Sequence, residues 1–174
     1  MKKSILGAVI AAAILAGAWF WASPSIAMGS LRDALIQGDR DELDEKVDFP
    51  RVRESLKAQL MGAMTAELAK QKDQGSPFAA MGGMFATAMA GQMIDTIVTP
   101  DGLKAMVQNG KFKPDPNDAK AQPPEWKVQR DGLDKFRAVP TVMPGEKAPA
   151  MVFKRDGLSW RLVDIEIPTG GLGN

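Results

Sequence analysis

The sequence predicts an α+β protein in which an N-terminal apolar helix is followed by several helices packed on a C-terminal four-stranded antiparallel sheet. Three observations predict it. An uncharged run, Ser4 to Ala27, follows Met1-Lys2-Lys3. From Met28 to the neighbourhood of Gly110, apolar residues recur at helical spacing. After Lys113 to Pro124, which holds four prolines, the period changes to two, as strands require.

The apolar run decides where the rest of the chain works. Its core, Ile5 to Trp21, is 17 residues, near the lower end of the roughly 17–25 that span a bilayer as a helix. Two lysines precede it and no other basic residue occurs before Arg32, the asymmetry of an export signal that leaves the N-terminus inside and carries the remainder outward. Ala16-Gly17-Ala18 and Ser25-Ile26-Ala27 offer small residues at a cleavage spacing, whereas Trp19, Phe20 and Trp21 suit the interfacial end of a retained helix. A retained anchor is the reading adopted here, with cleavage to a soluble exported domain as the alternative. The expected division is 1–27 as signal-anchor or signal peptide, 28–168 as one α+β domain, and 169–174 as a flexible tail.

The 174 residues less the first 27 leave 147, enough for one domain with a substantial core. Charges are balanced at 22 Lys plus Arg against 21 Asp plus Glu, or 20 against 21 once Lys2 and Lys3 are set aside. No nucleic-acid partner is expected on that balance, because phosphate binding needs clustered excess positive charge. The chain has no Cys and no His, which removes thiol nucleophiles, imidazole bases and the usual zinc or haem ligands. No cofactor or metal is implied, and the expected function is non-enzymatic.

Along the helical half, Met28, Leu31, Ala34 and Leu35 form one apolar face that Gly38 closes. Asp39 suits the cap of a second helix with Leu43 and Val47 on one face. Asp41, Glu42, Asp44 and Glu45 look outward there, and a solvated helix start explains them better than a metal does. Asp48 is placed to cap a third helix, with Pro50 tolerated in its first turn, or to pair with Arg53. Gln74-Gly75-Ser76-Pro77 separates the third helix from a fourth ending near Ile97. Thr99 and Pro100 open a fifth.

Between Met61 and Met93 the composition shifts to Met, Ala and Gly, and six of the chain's 11 methionines fall there. Copper binding lacks any supporting His or Cys. An adaptable apolar groove and ordinary helix packing are the other readings. The run Phe78 to Met93 carries no charge, so the fourth helix is expected to be buried.

In the strand half, Trp126, Val128 and Arg130 share one parity, and Phe136 and Ala138 begin a second strand. Met151 to Lys154 and Trp160 to Ile167 follow, joined through Asp156-Gly157, a hairpin signal. In the last strand Trp160, Leu162 and Ile165 do not alternate perfectly, but Val163, Ile165 and Ile167 share one parity against Arg161 near the edge, which suggests one face packed on helices and a mixed opposite face.

Leu31-x-x-Ala34-Leu35-x-x-Gly38-Asp39-x-x-x-Leu43-x-x-x-Val47 resembles the opening helices of NTF2-like and cystatin-like α+β domains, and Phe153-x-x-x-Gly157-x-x-Trp160-Arg161-Leu162-Val163-Asp164 resembles their closing hairpin. More closely, the chain resembles the bacterial domain-of-unknown-function family 2939, short envelope proteins with an N-terminal apolar segment. The resemblance rests on Val47-Asp48-Phe49-Pro50-x-Val52-Arg53-x-Ser55-Leu56-Lys57, Thr99-Pro100-Asp101-Gly102-Leu103, Gly132-Leu133-Asp134-x-Phe136 and Arg155-Asp156-Gly157-Leu158-Ser159-Trp160. It implies a bacterial inner-membrane protein with its domain facing the periplasm, and brings no activity with it. The NTF2-like resemblance implies a cone with a pocket, in which Met84, Met93, Phe136 and Trp160 are the candidate ligand-binding residues, unless they simply fill the cone. The expected partners are the membrane itself and a lipid, an apolar ligand or a membrane protein. Two alternatives stand beside this reading. One is an assembly factor acting through an exposed apolar surface on the Met-rich helices; the other is an enzyme using Asp48 with Asp134 or Asp164.

Overall fold

The structure, a computed structural model, describes the backbone of residues 2–70, 77–108, 125–142 and 147–168. Five helices precede four strands: α1 (Lys2–Gln37), α2 (Arg40–Lys46), α3 (Phe49–Lys70), α4 (Pro77–Ile97), α5 (Pro100–Gln108), β1 (Trp126–Arg130), β2 (Lys135–Pro140), β3 (Ala150–Asp156) and β4 (Ser159–Glu166). The segments expected as the third-to-fourth helix break before Pro77, the loop 113–124 and the turn Pro144-Gly145-Glu146 lie outside the described residues.

The apolar segment expected to end at Ala27 and the amphipathic stretch expected to begin the domain at Met28 are one continuous helix, with Pro24 in its interior. Proline in a helix removes the N–H that would bond to the carbonyl four residues back, which here is that of Phe20. The helix continues because that carbonyl finds other donors, described below.

Local capping follows the sequence closely. Gly38 ends α1 with φ 64°, a left-handed position suited to glycine. The Asp39 carboxylate accepts from the N–H groups of Asp41 and Glu42 at 3.0 and 3.2 Å, starting α2. Asp48 caps α3 by accepting from Arg51 N–H at 3.2 Å, and it pairs with the Arg51 guanidinium at 3.4 Å rather than with Arg53. The Thr99 hydroxyl accepts from Gly102 N–H at 3.0 Å to open α5.

The strands form a meander in the order β1-β2-β3-β4, antiparallel throughout. Opposite Phe153 stands Leu162, but opposite the preceding Val152 stands Asp164, so Val163 is an extra residue in β4. Such a bulge switches which parity faces inward. Trp160 and Leu162 are buried on one side of it and Ile165 packs on the core beyond it. That corrects the expected single packed parity of Val163, Ile165 and Ile167.

The core lies between this sheet face and the helices: Leu31 and Ala34 of α1, Leu43 of α2, Phe49 and Val52 of α3, and Phe136, Ala138, Phe153, Trp160 and Leu162 of the sheet. Phe136 and Phe153 stack with ring centroids 4.7 Å apart, and Trp160 meets Phe136 edge-on at 4.8 Å. Polar contacts fasten the helices to β4. Val47 forms a parallel bridge to Leu162, and Asp48 N–H donates to the Leu162 carbonyl at 2.8 Å. The Arg161 guanidinium donates to the Asp44 and Val47 carbonyls at the end of α2. Gln59 of α3 pairs with the strand as another strand would: its amide donates to the Ile165 carbonyl at 2.9 Å and accepts from Ile167 N–H at 2.8 Å.

Where its side chains are described, the fourth helix is not buried. It packs on α3, with a Lys57–Asp95 ion pair at 2.6 Å between them, and Phe85, Met89 and Met93 are 69, 56 and 60% exposed. Lack of charge along Phe78 to Met93 indicates a buried helix; instead Phe85, Met89 and Met93, with Ile97 after them, leave an apolar stripe of α4 exposed, and Met61 of α3 is exposed as well.

Candidate functional site

The most elaborately built site joins α1 to the end of the sheet where the β1–β2 and β3–β4 hairpins turn. Pro24 and Ser23 are buried there. The Phe20 carbonyl, deprived of a helix donor by Pro24, accepts from the Arg130 guanidinium at 2.8 Å and from the Ser23 hydroxyl at 3.0 Å. The same guanidinium nitrogen donates to the Trp21 carbonyl at 3.1 Å. Arg130 also lies over the rings of Phe20 and Trp21, at 4.6 and 5.2 Å from their centroids. One arginine thus supplies both a replacement hydrogen bond and a cation over two π faces.

Arg155, at the end of β3, completes the clamp. Its guanidinium lies 4.3 Å from the Trp160 ring centroid and 5.4 Å from that of Phe20, and its Nε donates to the Leu133 carbonyl at 3.3 Å. Trp160 donates its indole N–H to the Ser23 hydroxyl at 3.1 Å, satisfying the polar group that a buried tryptophan must place. Arg130 Nη1 and Arg155 Nη2 are buried without a hydrogen-bond partner among the described residues, and the aromatic faces beside these guanidiniums offer them a weak acceptor. Beside the clamp runs a cleft of about 130 Å³ lined by Trp19, Ser23, Ile26, Lys46, Leu158 and Trp160 among others.

The four candidate ligand-binding residues do not line one visible pocket. Phe136 and Trp160 are in mutual contact inside the core, with Trp160 also reaching the small cleft. Met93 is exposed on α4, and the Met84 side chain lies outside the described residues. Of the carboxylates considered for catalysis, Asp134 and Asp164 line the same open cleft of about 470 Å³, with Asp131, Lys135, Lys154 and Glu166. Asp164 is engaged by the Ser55 hydroxyl and the Gln59 amide, and Asp48 stands apart as the α3 cap. No group of three His, Cys, Asp or Glu side chains suited to a metal occurs among the described residues.

Sequence reasoning missed the clamp arginines. The signal for Arg130 was there: it shares the inward parity of Trp126 and Val128, and a cation on the packed face of a strand needs a partner inside. For Arg155 no comparable signal exists, because its position before Asp156-Gly157 reads as ordinary hairpin polarity.

The family model for proteins of unknown function numbered DUF2939 matches residues 13–106. The chain belongs to this family. The match spans the second half of the apolar run, Phe20 to Pro24, and the helices through most of α5. The sheet, with Arg130, Arg155 and Trp160, lies outside the matched range. No match was found among curated proteins or among solved structures.

Proposed function

We propose that this DUF2939 protein is a non-enzymatic envelope protein, retained in the bacterial inner membrane by α1, whose domain sits in the periplasm directly against the membrane and binds a protein partner or an apolar ligand. The observation that carries the reading is the unbroken α1 with its clamp. Val9–Gln37 is the one stretch among the described residues long and apolar enough to cross a membrane, and its second half is part of the domain core. Cleavage after Ala27 would remove Phe20, Ser23 and Pro24, leaving Arg130 without its carbonyl acceptors and the Trp160 indole without its partner. Cleavage after Ala18 would spare the clamp, and is the form a soluble product would take. Lys2 and Lys3 before the run support an inward N-terminus.

Between the two binding readings, the exposed Phe85, Met89 and Met93 favour a protein partner, since a contiguous uncovered apolar surface is what such partners occupy. The pocket reading leans on the NTF2-like resemblance and on the small cleft at Trp160 alone. The test has two parts. Intact mass of the product recovered from cells should equal that of the uncleaved chain, and a species beginning at Trp19 or at Met28 would refute the anchored reading. A photo-crosslinking side chain at Met89 or Met93 should give a discrete heavier adduct in cells while one at Ala105 gives none; equal or absent adducts would remove the partner surface.

A further inference from the structure

Two leucines stand out at the sheet's turns. Leu133, in the β1–β2 turn, and Leu158, in the β3–β4 turn, are 73 and 83% exposed. Their turns are specified by neighbouring glycines, Gly132 at φ 79° and Gly157 at φ 60°, so the leucines are not required for turn geometry, and positions of this kind ordinarily carry polar residues. In a meander the first and third turns lie at the same end of the sheet, which is the end where α1 is clamped. Leu133 is tied to it through Arg155, which bonds the Leu133 carbonyl and lies over Phe20. Leu158 shares the narrow cleft with Trp19 and Ile26. Before Phe20, α1 leaves the domain: Leu6, Val9, Ile10, Ile14, Leu15 and Trp19 are all exposed. Both leucines therefore flank the helix at the level where its free half begins.

We propose that the tips of these two hairpins are a lipid-contacting surface, with Leu133 and Leu158 entering the bilayer boundary beside Trp19 and Trp21. The occupant follows from length. At about 1.5 Å per residue, the run from Ser4 to Trp21 measures about 27 Å, against a hydrocarbon thickness of about 30 Å. A helix beginning its crossing after Lys3 thus leaves the apolar layer near Trp21, where the tips are. Trp19 and Trp21 take the interfacial level usual for tryptophan, and the stems of Arg130 and Arg155 cross the same level. This inference rests on the anchored reading of α1 and adds to it a second, non-helical point of membrane contact that fixes how the domain is turned.

The absence of native cysteine makes the test direct. Full-length single-cysteine variants Leu133→Cys, Leu158→Cys, Ile14→Cys and Ala105→Cys are labelled with an environment-sensitive fluorophore. Each is reconstituted in phosphatidylethanolamine–phosphatidylglycerol vesicles containing brominated acyl chains. The expected result is blue-shifted, bromine-quenched emission at positions 133 and 158, deeper quenching at 14, and water-like unquenched emission at 105 on α5. Quenching at 14 with water-like emission at both tips would overturn the proposal and leave the anchor standing. Loss of quenching at 14 as well would overturn the anchored reading, and the proposal with it.

Discussion

Removing the Arg130 guanidinium tests whether the clamp exists because of Pro24. In Arg130→Met the side-chain stem is kept, while charge-assisted hydrogen bonds to the Phe20 and Trp21 carbonyls and the contact with two rings are lost. Hydrogen bonds to a charged group are worth about 1.5–3 kcal/mol and a partly exposed cation–π contact about 0.5–1 kcal/mol. For a guanidinium that is only partly buried, a loss of about 2 kcal/mol follows. With a urea slope of about 2 kcal/mol/M, the unfolding midpoint falls by about 1 M. In Pro24→Ala the new N–H supplies the Phe20 carbonyl from within the helix, so Arg130→Met made in that background should cost about 1 kcal/mol less. The assay is equilibrium unfolding of the full chain in mild detergent, followed by tryptophan fluorescence and arranged as a double-mutant cycle. An Arg130→Met cost that is the same in both backgrounds would refute the argument that the arginine replaces the bond proline removes.

Three other outcomes follow from the packing. Phe136→Ala empties the centre of the aromatic stack and should lower stability by about 3–5 kcal/mol, read as a collapse of the cooperative unfolding transition. Gln59→Leu strips the strand-like bonds to Ile165 and Ile167 and should cost about 1–3 kcal/mol; hydrogen exchange should speed at the Ile167 amide while the Phe136 amide is little changed. Gly102→Ala should destabilise more than Gly157→Ala, because its Cβ would run into the backbone carbonyls of Thr96 and Ile97, whereas Gly157 has open space and loses only its left-handed freedom, about 1–2 kcal/mol. Thermal unfolding of the two variants gives the order.

Much of the fold was legible because it is written in local chemistry. Asp39, Asp48 and Thr99 announce helix starts through side-chain oxygens two or three residues from the N–H groups they satisfy, and Gly38 and Gly157 mark where the chain needs positive φ. The alternation in β1 and β2 likewise identifies the packed face from sequence alone. What escaped depends on partners distant along the chain. Pro24 reads as a helix breaker until Arg130 is seen bonding the carbonyl it strands, and nothing near Pro24 announces an arginine in β1. The bulge at Val163 shows in the sequence only as the imperfect alternation of Trp160, Leu162 and Ile165, because a one-residue register slip is defined only relative to β3. The apolar run of α4 was taken for burial because composition reports what a helix can hide, not what is available to cover it. As for the site, Trp160 was among the residues singled out, while its two arginine neighbours were not.

The hydrogen bond between Trp160 and Ser23 joins residues 137 apart, and its lateness has a consequence for biogenesis. During synthesis α1 emerges before the sheet, so the helix must wait for Arg130, Arg155 and Trp160 to be made before they can grip it. Until then the Phe20 carbonyl lacks its arginine donor and the faces of Leu31 and Ala34 lack their sheet. A chain stopped before Ser159 would have α1 complete but would lack Trp160 and Leu162, leaving the core faces of Leu31 and Ala34 partly uncovered. Completion of the last hairpin is therefore the event that closes the core around the second half of α1.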